Sequence, residues 1–226
     1  PLIMGILNLT PDSFSGDGLL SGGHEFLERA RAMVEAGVDM FDVGGESSRP
    51  GARPVPEREE LRRIVPVVSA LAKKYPRIPV SVDTYKPAVA KAALDAGAVM
   101  INDITGLKNK DMRTLAASSG AAVCVMHMKG TPRMMQKDPR YADVTGEVFD
   151  FFVRRVAAAR EDGVTDAQIV LDVGIGFGKR LEDNLRLLAY HHEFMSLGYP
   201  LLLGVSRKSF IGGILDEPQP ERRRTG

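Results

Sequence analysis

Six polar residues stand at or near the ends of short apolar runs: Asn8, Asp42, Asp83, Asn102, Asp172 and Lys208. Carboxylates accept hydrogen bonds, amides both accept and donate, and lysine donates. Gathered in one cavity, such a set pairs with a flat heterocycle rich in N–H groups and ring nitrogens. Taken singly, each is as readily a helix cap or a partner for a neighbouring loop. Six at equivalent strand ends, with no ligand, would instead form an acidic mouth that repels itself. The stretch 41–51, Phe-Asp-Val-Gly-Gly-Glu-Ser-Ser-Arg-Pro-Gly, adds anion chemistry. Gly44 and Gly45 are expected to let the backbone turn and expose its amides, and Ser48 and Arg49 offer a hydroxyl and a planar guanidinium to a phosphate.

Other candidates are weaker. Arg207, Lys208 and Ser209 follow the last apolar run, where Lys208 would balance the acids and where late barrel strands often carry a phosphate site. The glycines at 174, 176 and 178 resemble a phosphate loop, but their order and the missing downstream ribose acid argue against a dinucleotide fold. His127 is either an acid or base or a hydrogen-bonded structural histidine. His191 and His192 read as the surface of an outer helix. No His, Cys or carboxylate pair has zinc spacing, whereas Mg2+ held by one side chain and substrate phosphates would leave no such signature.

The elements that must position these residues alternate along the chain. Apolar runs at 2–7, 38–43, 78–82, 98–101, 121–126, 168–171 and 201–205 read as strands. Helical patterns cover 25–36, 56–74 with a kink at Pro66, a segment from Thr84 or Lys86 to Gly97, 111–118, 147–161 and 181–197. The strands read as continuous apolar runs, which predicts parallel strands buried on both faces. A doubly wound sheet gathers its site at one switch point; a closed barrel gathers the loops after every strand. Polar, glycine-rich loops follow nearly all of these strands, and the return connections at Gly37 and Gly97 are short. A (β/α)8 barrel is the better fit.

Composition bounds the rest. A chain of 226 residues, 44% hydrophobic, can bury one full core, so a single domain over 1–226 is expected. With 30 basic and 29 acidic residues the formal charge is +1, so neither nucleic acid nor an anionic membrane is expected as a partner. The one cysteine, Cys124, lies in an apolar run and should be a buried, inert thiol in a reducing compartment. No apolar run approaches the roughly 20 residues that span a bilayer, and 1–7 lacks the basic flank of a signal peptide. A cytoplasmic location is expected. The start inside a strand, without an initiator Met, is expected of a fragment or a processed chain.

Seven motifs, in order, carry a resemblance: 5–15 (GILNLTPDSFS), 42–51 (DVGGESSRPG), 81–84 (SVDT), 101–103 (IND), 126–128 (MHM), 174–179 (GIGFGK) and 204–209 (GVSRKS). Together they closely resemble the dihydropteroate synthase family of the folate pathway, over practically the whole chain. The resemblance implies a (β/α)8 barrel that joins 4-aminobenzoate to the methylene carbon of 6-hydroxymethyl-7,8-dihydropterin diphosphate, releasing pyrophosphate with help from Mg2+. It implies that Asp83, Asn102, Asp172 and Lys208 hold the pterin, that Asn8 meets the metal, and that Ser48 and Arg49 lie by the diphosphate. Asp42 completes the substrate-binding set. It further implies mobile loops after the first two strands, Phe14 and Pro50 as apolar walls for aminobenzoate with Ser209 near its carboxylate, and a homodimer.

The chain departs from the family at three places. Val173 stands where proline is usual, and Ser48 where threonine is usual. The sequence stops at Gly226, where the family continues to an eighth strand bearing an Arg-x-His anion motif, so an eighth strand is expected to be absent. Two other readings stay open: a pterin-binding methyltransferase that serves a corrinoid protein, and a pterin-binding protein without catalysis.

Overall fold

The computed structural model describes residues 1–9, 22–49 and 51–223. Seven strands alternate with seven α-helices: β1 (Met4–Asn8), α1 (Gly22–Glu35), β2 (Met40–Gly44), α2 (Glu57–Lys74), β3 (Val80–Asp83), α3 (Pro87–Asp95), β4 (Met100–Asp103), α4 (Lys110–Ser119), β5 (Ala122–Met126), α5 (Val144–Glu161), β6 (Ile169–Asp172), α6 (Leu181–Ala189), β7 (Leu201–Leu202) and α7 (Ser209–Leu215). All neighbouring strands are parallel and follow one another in chain order, β1 to β7. That order has no switch point, which settles the choice of architecture for the barrel. The sheet curls as the wall of a (β/α)8 barrel, and no eighth strand occurs among the described residues.

Register decides which side chains face which way, because residues paired across a parallel ladder point to the same side and their neighbours to the other. One face carries Leu7, Phe41, Val43, Val82, Ile101, Val123, Val125 and Leu171, each 1% exposed or less, packed into the main core with the helices. The other face carries the row Asn8, Gly44, Asp83, Asn102, Cys124 and Val170. Below it lie Ile6, Asp42 and Ser81; above it lie Met126, Asp172 and Leu202. The strands are therefore not apolar on both faces, as the runs suggest. With at most five residues each, they give no more than two or three positions per face, too few for alternation to stand out.

Local chemistry sets the helices. Asn109 caps α4 by accepting from the Asp111 amide at 2.8 Å, and Gly120 at φ +69° ends it. Pro87 opens α3, where its missing N–H costs nothing. Glu57, Glu59 and Glu60 in the first turn of α2 and Lys73 and Lys74 in its last complement the helix dipole. The helix runs on through Pro66 while burying Ile64, Val67, Val68 and Leu71.

One helix, α7, has no counterpart in the sequence reading, and two expected elements differ from it. The helix expected over 181–197 ends at Ala189, and a 3₁₀ segment, His191–Leu197, follows. Its tighter winding turns Phe194 inward, with ring centroids 5.8 Å from Phe152 and 6.4 Å from Phe149. The seventh strand is two residues long instead of five, because β7 has a partner on its β6 side only and Leu203 is already exposed.

The convex face should therefore carry the stability. Ile101→Ala is expected to cost about 2–5 kcal/mol in urea unfolding, whereas Ile6→Ala, on the opposite face and 48% exposed, should cost under about 1 kcal/mol. Equal costs would contradict this division of the sheet.

Candidate active site

The concave face brings the strand-end polar residues together. The Asn102 amide donates to Asp42 Oδ2 at 3.1 Å across two strands. A Cβ placed on Gly44 would meet Asp83 Oδ2 at 3.3 Å and Asn8 Oδ1 at 3.4 Å, so those side chains flank a gap that glycine keeps open. Gly45 instead lets α2 approach, since a Cβ there would lie 2.9 Å from Glu60 and 3.0 Å from Ile64. Neither glycine takes a positive φ, so both serve close approach and not the turn expected from the sequence. Asp42 Oδ1 and Asn102 Oδ1 are buried with no hydrogen-bond partner among the described residues, and the Ser81 hydroxyl lies close enough to Asp42 to favour its charged form. Orphaned acceptors of this kind are costly unless water or a ligand meets them.

The electrostatics follow from burial. Asp83 is pushed well above the usual carboxylate range, first by desolvation and then by the charges of Asp42, Glu60, Asp103 and Glu46. Asp42 is raised by desolvation, with Ser81 and Asn102 pulling the other way. Asp172 is raised by desolvation against the opposing charge of Lys208 and the Gly174 amide, which donates to its Oδ1 at 2.7 Å. Lys208 is lowered by desolvation, with Asp172 raising it; its ammonium donates to the Ile175 carbonyl and lies 4.7 Å from the centre of the Phe177 ring. Asp103, the neighbour of Asn102, faces the other way and is spent on its own loop, accepting from the Thr105 amide and hydroxyl at 2.7 Å and from the Leu107 amide at 3.2 Å.

The loop after β2 is anchored by a buried ionic cluster that sequence reasoning misses. Lys86 Nζ pairs with Glu46 at 2.7 Å and with Glu60, and donates to the Val55 carbonyl at 2.7 Å. Tyr85 donates its hydroxyl proton to Glu46 at 2.9 Å, and Thr84 to Glu60 at 2.8 Å. Desolvation opposes the charge on Lys86, but the two carboxylates more than offset it and its pKa is raised. Between these anchors Ser48 is partly buried and Arg49 exposed. Arg49 lines a groove of about 520 Å³ with Ser47, Arg53 and Arg63, none of them a residue of the concave face. Pro50 and Phe14 lie outside the described residues, as does most of the loop after β1.

Lys179, which stands in a sequence motif but carries no role there, is 3% exposed. It lies 3.0 Å from His127 Nδ1 and donates to the Gly174 and Phe177 carbonyls at 2.9 and 3.1 Å. His127 is buried against Lys179 and the Phe151 ring, the surroundings of the structural histidine of the two readings, and burial, then the charge of Lys179, lowers it to about 2. His192 is exposed as expected, but His191 is partly buried and its Nε2 has no partner among the described residues. Cys124 is buried and its pKa is raised well above the usual thiol range by desolvation and then by Asp172, Asp42, Asp103 and Asp83. Among the described residues no three His, Cys, Asp or Glu side chains cluster as a metal site, and no helix is long and apolar enough to cross a membrane.

By themselves the acids make the pit a liability. A carboxylate whose folded pKa is raised stabilises the fold fully below its unfolded pKa, and that contribution is lost as pH rises through the folded value. Asp83→Asn should therefore raise the melting temperature of the ligand-free protein at pH 7, by about 2–4 °C for each kcal/mol of relieved repulsion. The difference should close near about pH 4, the ordinary carboxylate range, in calorimetry; a lower melting temperature at pH 7 would contradict the account.

Comparison with known proteins agrees with this geometry. The family model described as pterin binding enzyme matches residues 4–226. The dihydropteroate synthase of Synechocystis sp. is 46% identical over 225 residues, covering 99% of this chain and 78% of that protein. The Escherichia coli K12 dihydropteroate synthase is 45% identical over 222 residues, covering 98% and 78%. Among solved structures, Xanthomonas albilineans dihydropteroate synthase with 4-aminobenzoic acid superposes with a TM-score of 0.91 at 42% identity, over 99% of this chain and 79% of that one. The Thermus thermophilus dihydropteroate synthase in complex with 4-aminobenzoate gives 0.86 at 46% identity, over 99% and 80%. By sequence and by fold, this chain belongs to the pterin binding enzyme family.

Proposed function

We propose that this chain catalyses the dihydropteroate synthase reaction, the condensation of 6-hydroxymethyl-7,8-dihydropterin diphosphate with 4-aminobenzoate to 7,8-dihydropteroate and pyrophosphate. The observation that carries the reading is the concave-face set: buried acceptors on Asp42 and Asn102 without partners, the Asp83 and Asp172 carboxylates, and one lysine, Lys208. A pterin supplies what these groups lack, an amino group and ring N–H donors for the acids and a carbonyl and ring nitrogen for the amide and the ammonium. The named relatives are dihydropteroate synthases, two of them solved with the aminobenzoate co-substrate.

In this reading the bond between the methylene carbon and the bridging oxygen breaks first, its electron pair leaving with pyrophosphate. Positive charge spreads over the pterin, where the Asp83 and Asp172 carboxyl oxygens, facing its N–H groups, stabilise it. The aniline nitrogen then donates its lone pair to the methylene carbon, and the proton it loses passes to water or to the departing pyrophosphate. No general base is needed, which accords with the absence of a paired nucleophile and base among the described residues of the pit. Ser48 and Arg49 are assigned to the diphosphate, on a loop rooted by the bonds of Glu46 to Tyr85 and Lys86.

Mg2+ is the proposed cofactor. Asn8 fits it through one hard amide oxygen beside Gly44 and Asp83, and an ion that prefers oxygen ligands commonly takes one or two from protein and the rest from substrate phosphates and water. When bound it would supply charge neutralisation on the departing pyrophosphate. We assign the reaction to the cytoplasm, consistent with a single unpaired buried thiol, and the working assembly to a homodimer.

Calorimetric titration with the pterin diphosphate, followed by a pyrophosphate-release assay with 4-aminobenzoate, tests the reading. Saturable binding and aminobenzoate-dependent release are expected; binding without release would favour a non-catalytic pterin-binding protein. Asp83→Ala should abolish detectable pterin binding in a folded protein, and normal affinity would reject the assignment of that residue.

A further inference from the structure

The loop after β6 is built on three left-handed glycines, Gly174, Gly176 and Gly178, at φ +67°, +81° and +64°. A Cβ on Gly174 would lie 2.0 Å from the His127 carbonyl oxygen, and one on Gly178 would lie 2.3 Å from that of Lys129. The loops after β5 and β6 thus meet backbone to backbone, and their contact is crowded with carbonyl oxygens. Lys179 puts its ammonium into that crowd. Its Nζ reaches the carbonyls of Gly174, Phe177 and His127 at 2.9, 3.1 and 3.3 Å and His127 Nδ1 at 3.0 Å. Burial lowers the Lys179 amine to about 7, and the four polar atoms around it, drawn from both loops, engage every proton it carries and leave none to offer a substrate.

What the fastened loop holds is the site itself. Its Ile175 carbonyl accepts from Lys208, its Phe177 ring lies 4.7 Å from that ammonium, and its Gly174 amide donates to Asp172 at 2.7 Å. From outside, Gln136 donates to the Gly176 carbonyl at 2.8 Å and Tyr141 to that of Gly178 at 2.7 Å. Those ties fix the rim; among the described side chains, only Lys179 reaches the inner carbonyls at 174 and 177.

We propose that Lys179 is a positioning residue: a buried side-chain amine that clamps the loop after β6 onto the loop after β5 and so seats Lys208 and Asp172 for the pterin ring. The inference rests on the pterin reading of the pit. It assigns Lys179 no contact with substrate.

Lys179→Met keeps the stem and removes the ammonium. In folded protein it should raise both the Kd and the KM for the pterin diphosphate by about tenfold or more, and leave the KM for 4-aminobenzoate within about twofold. In a Lys208→Met background the same substitution should have a smaller effect, because the group it seats is gone. A lysine that only stabilises the fold would lower the yield of active protein, with both KM values intact and equal effects in the two backgrounds; that result overturns the proposal. If Lys179→Met does not fold, Lys179→Arg carries the test, since it keeps the charge but misfits the carbonyl cage, and unchanged pterin affinity there also overturns it. Wild-type protein that binds no pterin would overturn the pterin reading and this inference with it, whereas normal wild-type binding with unaffected variants overturns the clamp alone.

Discussion

A parallel strand sends alternate side chains to opposite faces, and everything at the site depends on which face is committed to packing. Here Leu7, Val43, Val82, Ile101, Val125 and Leu171 are locked against the helices. Their neighbours Asn8, Asp83, Asn102 and Asp172 then have nowhere to point but the hollow of the sheet. A slip of one residue in β2, β3 or β6 would exchange a valine or leucine for the carboxylate of Asp42, Asp83 or Asp172 in the core, a change costing several kcal/mol. The hydrophobic effect therefore fixes the polar constellation without any polar residue having to find its partner.

By itself that constellation is unfavourable. Asp42, Asp83 and Asp172 are raised by desolvation, and two acceptor oxygens on the concave face, Asp42 Oδ1 and Asn102 Oδ1, are left without partners among the described residues. Nearby charge is treated differently. Glu46 and Glu60 face inward too, but Lys86, Tyr85, Thr84 and the Val55 amide meet them, so that cluster is satisfied and rigid. The contrast separates two uses of buried acid. One set is completed by the protein and holds a loop; the other is left incomplete and awaits a ligand.

Much of this is legible in the chain. Strand ends are local features, so Asn8, Asp83, Asn102, Asp172 and Lys208 can be collected by position, and loops on one side of the strands point to a barrel. Other parts are not legible, because they depend on partners far away in sequence. Lys179 and His127 are 52 residues apart, and Glu46 and Lys86 are 40 apart, so no spacing announces either pair. The two-faced character of the sheet is hidden by strands of at most five residues. The early end of α6 at Ala189 is hidden too, because a helical pattern does not distinguish an α-helix from the 3₁₀ winding that buries Phe194. Gly44 and Gly45 look like turn residues; their real constraint is the approach of Asp83, Asn8 and α2, visible only once those elements are placed.

The most direct measurement is a crystal structure of the protein with 6-hydroxymethyl-7,8-dihydropterin. The account predicts the bicyclic ring on the concave face, within hydrogen-bonding distance of Asp83, Asn102 and Asp172 and with Lys208 beside it. Ring density elsewhere, such as in the arginine-lined groove of Arg49, Arg53 and Arg63, with the concave face holding only water, would contradict it.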